Sequence, residues 1–123
     1  MLFRSVPDAV SLSASVFVAP GPGALAGYLE ALRRLRECDL DVICPGHGPP
    51  VWDPAAKIDE YLAHRLDRER RLIEALEAGR RTVPELLDDV WDDAPAGLRA
   101  AAAITLAAQI GRASCRERVS LTV

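Results

Sequence analysis

Apolar residues recur at helical spacing directly after residue 23, where Leu25, Tyr28, Leu29, Leu32 and Leu35 mark one face of a predicted helix. Short runs rich in β-branched residues lie before and after it, at residues 15–19 and 40–44, and both predict strands. The order strand, helix, strand predicts an α/β layer arrangement for this half of the chain.

A second helical pattern fills residues 54–77. Asp53 followed by Pro54 is typical of a helix start, because the aspartate can cap the free N–H groups and proline suits the first helical position. Gly79 is placed to end this helix in a left-handed conformation.

The remaining pattern predicts two further helices joined by short turns. Thr82 and Glu85 have capping-box spacing and open a short helix. Residues 98–109 are alanine-rich and helical in pattern. These helices match the helical part of a winged-helix domain, but no hairpin that could form the wing is visible.

The segment between the second predicted strand and the long helix reads PGHGPP and contains His47. Glycine and proline exclude a helix or strand interior here, so the segment is a loop at a strand end, where layered α/β proteins place ligand-binding side chains. A neutral imidazole is a good zinc ligand. From spacing alone, a loop histidine that only hydrogen-bonds the neighbouring backbone explains His47 at least as well.

Four sequence elements occur in a fixed order, namely PGHGP, DPAAK, YLAHR and RTVPELL. This ordered string resembles metallo-β-lactamase-fold hydrolases, and more narrowly the lactamase-beta-2-like branch that carries a C-terminal winged-helix domain. The resemblance implies an α/β fragment with the late strands and helix of an αββα fold, followed by a mostly helical, incomplete winged-helix domain. We therefore expect the first domain over residues 1–53 and the second over residues 54–109.

The same resemblance implies a metal-dependent hydrolase with a two-zinc site, in which metal-activated water attacks an ester, thioester or phosphodiester. His47 corresponds to the last metal ligand, whereas the family's main HxHxDH ligand motif is absent from this sequence. We therefore expect an N-terminally truncated chain that is inactive alone. Small esters, thioesters or single-stranded RNA are the implied substrates of the intact enzyme.

His64 and Arg65 lie in the YLAHR element, and we predict that they bind an anionic group of the substrate. The alternative is a solvated pair on the helix surface. Trp52 and Trp91 are interpreted as packing residues. The aspartates of residues 88–93 are interpreted as a solvated turn, since they lack the spacing of a calcium loop.

The composition limits other functions. The net charge is −3 and aromatic residues make up 5% of the chain, so nothing favours a general attraction to nucleic acid or membranes. Three cysteines without metal-type spacing indicate reduced thiols and a cytoplasmic protein. The alternative function, a non-enzymatic winged-helix module that binds nucleic acid or a protein partner, needs a basic recognition helix, and residues 98–109 contain only Arg99.

The last segment, residues 110–123, does not continue the preceding alanine- and leucine-rich pattern. Its run IGRASCRERV shows neither helical nor strand periodicity and resembles the translation of a common sequencing adapter. We therefore interpret residues 110–123 as a non-native tail.

Overall fold

The computed structural model describes the backbone of residues 3–6 and 23–120, and the side chains of residues 23–112. The elements are β1 (Phe3–Val6), α1 (Ala24–Glu37), β2 (Val42–Pro45), α2 (Pro54–Glu77), α3 (Val83–Val90) and α4 (Arg99–Ser120), with a 3-10 turn at Ala96–Leu98. The described part of the chain is therefore mostly helical. Its described residues divide into two compact units, of which the first comprises residues 3–6 and 27–64 and the second comprises residues 23–26 and 65–120.

The first unit contains a two-stranded parallel sheet. Phe3 of β1 lies opposite Val42 of β2, and the pairing ends at Val6 and Pro45. One core is built from α1, β2, the loop after β2 and the start of α2, and its buried members are Leu32, Ile43, Val51, Ile58 and Tyr61.

The predicted strands are only partly confirmed. The strand expected at residues 40–44 is found at Val42–Pro45. The predicted strand at residues 15–19 lies outside the described residues. Sequence patterning missed β1, because four residues are too few to show a clear alternation.

The predicted bounds of α2 are confirmed, and both ends have specific hydrogen bonds. The Ala56 N–H donates to the Asp53 side chain at 3.1 Å, so the aspartate caps the helix start. At the other end the Arg80 N–H donates to the Ala75 carbonyl at 3.0 Å, and Gly79 has a φ of 95°. This is the left-handed glycine end that the sequence predicts.

Replacing Gly79 by alanine should lower the free energy of unfolding by about 1–2 kcal/mol, because an L side chain is strained at positive φ. A Cβ at this position would meet no atom within 4 Å, so the loss reports backbone strain alone. Urea titration followed by circular dichroism measures it. Gly27→Ala is the control, since Gly27 lies within α1 at ordinary φ and its replacement should stabilise the chain. Equal effects of the two variants would contradict the cap.

The second unit packs the C-terminal half of α2, α3 and α4 around one core. Its buried members are Leu72, Ala75, Leu86, Leu87, Val90, Trp91, Ala102 and Leu106. The start of α3 has the predicted capping box, in which the Thr82 N–H donates to Glu85 Oε2 at 3.1 Å. Hydrogen bonds from the backbone N–H groups of Arg81 and Thr82 hold the pKa of the Glu85 carboxyl below its usual value.

The structure corrects one expectation about the end of the chain. α4 does not stop at residue 109 but continues as helix to Ser120. The segment contains no proline, and alanine, arginine and glutamate are good helix formers, so a weak apolar period does not prevent the helix from extending. Residues 52–120 form helices and turns and contain no β-strand.

Candidate functional site

His47 lies in a loop whose base is fixed by backbone hydrogen bonds. The loop leaves β2 and returns to an isolated antiparallel bridge between Ile43 and Val51, whose two N–H groups donate to each other's carbonyls at 3.0 and 2.8 Å. His47 is the middle residue of the loop and is exposed. Gly48 follows it with a φ of 92°, a conformation that favours glycine.

The side chains at the base of this loop are buried. Ile43 is 0% and Val51 1% exposed, and both belong to the core of the first unit. Asp53, two residues after Val51, caps α2. The loop is therefore anchored on a strand on one side and on a helix start on the other, and this geometry presents His47 to solvent at a fixed place.

One exposed imidazole does not fit a complete zinc site. A catalytic zinc ion needs about three protein ligands and an open position. Among residues 23–112, the structure contains no group of three or more histidine, cysteine, aspartate or glutamate side chains that could hold a metal ion. The described residues therefore supply one candidate ligand, His47, and do not form a metal site by themselves.

The two predicted substrate-binding residues have different environments. His64 is half-buried, at the end of the first unit. Arg65 belongs to the second unit and is only 2% exposed. The alternative of a solvated residue on the helix surface is therefore wrong for Arg65, because its side chain is buried. A role of either residue in substrate binding stays a prediction.

Sequence reasoning missed a group of buried polar residues in the second unit. The Arg68 guanidinium stacks over the Trp91 ring at 4.4 Å and donates hydrogen bonds to the Val90 carbonyl and, at 2.5 Å, to Asp93 Oδ1. Trp91 Nε1 donates to Gln109 Oε1 at 3.1 Å. These bonds join α2, the end of α3 and α4, so the polar group holds the helices together.

The two tryptophans differ in burial. Trp91 is 8% exposed and packs in the helical core, as predicted. Trp52, by contrast, is 70% exposed, so its interpretation as a packing residue is wrong for this chain. It stands between the buried Val51 and the helix cap Asp53.

Arginines neutralise the acidic residues around α3. Asp88 pairs with Arg99 at 2.7 Å, and Asp89 pairs with Arg80 at 2.8 Å. Asp92 pairs with Arg71 at 2.9 Å. The carboxylates of this segment are therefore paired with arginines rather than merely solvated.

Comparison with known proteins identifies relatives of this chain. No family model matches the sequence. Over 79 residues the chain is 34% identical to a Caenorhabditis elegans protein named beta-lactamase-like protein 2 homolog, covering 63% of this chain and 27% of that protein. The chain is related to the metallo-β-lactamase family. An Aspergillus niger lactamase-like protein, adaB, is 29% identical over 85 residues, which cover 58% of this chain and 27% of that protein.

Two solved structures share the fold of the corresponding metallo-β-lactamase region. A metallo-β-lactamase family protein from Thermus thermophilus superposes with a TM-score of 0.70 at 28% identity, covering 94% of this chain and 37% of that chain. A β-lactamase domain protein from Burkholderia ambifaria superposes with a TM-score of 0.76 at 20% identity, again over 94% and 37% of the two chains. The chain thus spans about a quarter of the length of the first curated relatives that it matches.

Among the described residues, no helix is both long and apolar enough to span a membrane.

Proposed function

We propose that this chain is part of a metal-dependent hydrolase of the metallo-β-lactamase superfamily and that His47 is one of its metal ligands. The observation that carries the proposal is the loop at the end of β2, which is anchored by backbone hydrogen bonds and carries the exposed His47. The relationship to metallo-β-lactamase family proteins supports the reaction class.

The remaining metal ligands come from outside the described residues, since these hold no cluster able to bind a metal. When bound, a zinc pair in such an enzyme would supply a nucleophilic hydroxide and polarise the carbonyl or phosphoryl group that the hydroxide attacks. The proposed role of His47 is to contribute one imidazole nitrogen to this site, and the bridge between Ile43 and Val51 holds the base of its loop.

We propose an ester, a thioester or a phosphodiester of single-stranded RNA as the bond that is cleaved. His64 and Arg65 are the proposed contacts to an anionic group of the substrate. Arg65 is almost fully buried, so it serves this role only by acting on a substrate group or a neighbouring side chain that reaches into the protein.

The alternative function, a winged-helix module for nucleic acid, gains no support from α4. Arg99 at its start is engaged with Asp88 at 2.7 Å. Between residues 100 and 109 the exposed positions are Ala100, Ile104 and Ala107, which offer no positive charge to phosphate.

Replacing His47 by alanine in the complete reading frame that contains this chain should lower zinc content and hydrolytic activity together, activity by about 100-fold or more. Metal analysis of the purified protein and turnover of ester and thioester substrates measure the two effects. His64→Ala is the matched control, because the sequence contains only these two histidines. That variant should keep its zinc, whatever it does to KM. Zinc stoichiometry that is unchanged in His47→Ala would refute the ligand assignment.

A further inference from the structure

Trp52 is the most exposed large apolar side chain in the part of the chain that the structure describes, at 70%. The backbone on both sides of it is held in place. The Val51 N–H donates to the Ile43 carbonyl at 2.8 Å, and Asp53 caps the start of α2. The indole ring is therefore presented to solvent from a fixed point at the base of the loop that carries His47.

The surface of this loop is uncharged around its histidine. Residues 45–52 contain no aspartate, glutamate, lysine or arginine. Besides His47, their exposed members are Gly46, Gly48, Pro49, Pro50 and Trp52. Proteins bind phosphate groups mainly with arginine, lysine or several backbone N–H groups, and this loop offers no such cation and includes prolines that lack an N–H. An uncharged, apolar group of a ligand therefore suits this surface better than a phosphate.

His47 and Trp52 are close enough to contact one substrate molecule. They are five residues apart in sequence, and five fully extended residues span at most about 18 Å. Gly48 lies between them with a φ of 92°, so the segment is bent and the separation is shorter. A substrate whose scissile bond lies at a metal held by His47 then has an adjacent group within reach of the indole ring.

Resting on the proposed hydrolase function, we propose that Trp52 binds an apolar group next to the bond that is cleaved. The substrate class is then an uncharged ester or thioester with an aliphatic or aromatic acyl group, and not a phosphodiester. Trp52 contacts the substrate and not the metal, so it determines specificity. Its ring removes apolar surface of the acyl group from water, and binding therefore strengthens with the size of that group.

Binding is tested on the protein encoded by the complete reading frame that contains this chain. Isothermal titration calorimetry with octanamide, an uncharged and stable stand-in for an acyl group, measures the dissociation constant. Trp52→Ala should raise it about 10-fold, whereas Trp52→Phe should keep most of the affinity. Leu98→Ala is the control, because Leu98 is the next most exposed large apolar side chain, at 56%, and belongs to the helical unit. No binding to the unchanged protein, or equal affinity in Trp52→Ala, would overturn the inference.

Hydrolysis and zinc content separate this inference from the proposed function. Trp52→Ala should raise KM for an octanoyl ester about 10-fold and leave both KM for the acetyl ester and the zinc content nearly unchanged. Equal increases for the two esters would indicate a damaged loop and refute the apolar contact. Octanamide affinity that is independent of Trp52, with zinc that depends on His47, would remove only this inference. Zinc content that is independent of His47 would instead overturn the proposed function, and this inference with it.

Discussion

Replacing Arg68 by alanine is expected to lower the free energy of unfolding of the helical unit by about 3 kcal/mol. Arg68 is 3% exposed, stacks on Trp91 and donates to the Val90 carbonyl at the end of α3. The variant loses the cation–π contact and leaves that carbonyl without a charged donor. Urea titration followed by circular dichroism at several protein concentrations measures the change.

Arg70→Ala is the matched control for this prediction, because it removes the same side chain two residues away on the same helix. The Arg70 side chain is 59% exposed and pairs with Asp67 and Glu74, each at 2.6 Å. Exposed pairs of this kind contribute less than about 1 kcal/mol. If Arg68→Ala and Arg70→Ala lowered the free energy of unfolding by similar amounts, the buried contact between Arg68 and Trp91 would not contribute to stability.

The helix bounds were predictable because the signals that start and stop helices are local. Asp53 with Pro54, Gly79, and Thr82 with Glu85 each act within a few residues, and the structure places helix ends at all of them. β1 was not predictable in this way. Its stability comes from pairing with β2, some forty residues away in sequence, and a four-residue run carries no pattern of its own.

The inward face of α2 was only partly predictable, because charged residues occupy core positions. Leu66 is apolar, yet it is 44% exposed. The buried stripe instead runs at helical spacing through Ile58, Tyr61, Arg65, Arg68, Leu72 and Ala75. A prediction that considers only apolar residues leaves out Arg65 and Arg68, although both lie at the helical spacing of the buried positions. The burial of Arg68 depends on partners such as Val90 and Asp93, which only the folded chain brings close.

For the candidate site, too, the features set by neighbouring residues could be predicted, and those that depend on distant residues could not. The glycines and prolines around His47 determine that it lies in a loop, and the structure places it in an exposed loop at the end of β2. The other ligands of the proposed metal site are not among the described residues. A sequence with two histidines therefore predicts a ligand but not a site.

The 123-residue chain by itself should show no metal-dependent hydrolysis and should not retain zinc through dialysis. A single histidine cannot hold a divalent ion against water, since stable sites need about three or four ligands. The sharpest measurement compares this chain with its own His47→Ala variant, with metal content and ester and thioester turnover as readouts. Both proteins should retain equally little zinc, and neither should hydrolyse substrate faster than buffer does. In the protein encoded by the complete reading frame, by contrast, the same substitution should lower the zinc content. The opposite result would be turnover by the 123-residue chain that both a chelator and the His47→Ala substitution abolish. Residues within the chain would then complete the metal site, and the proposal that the other ligands lie outside the described residues would be wrong.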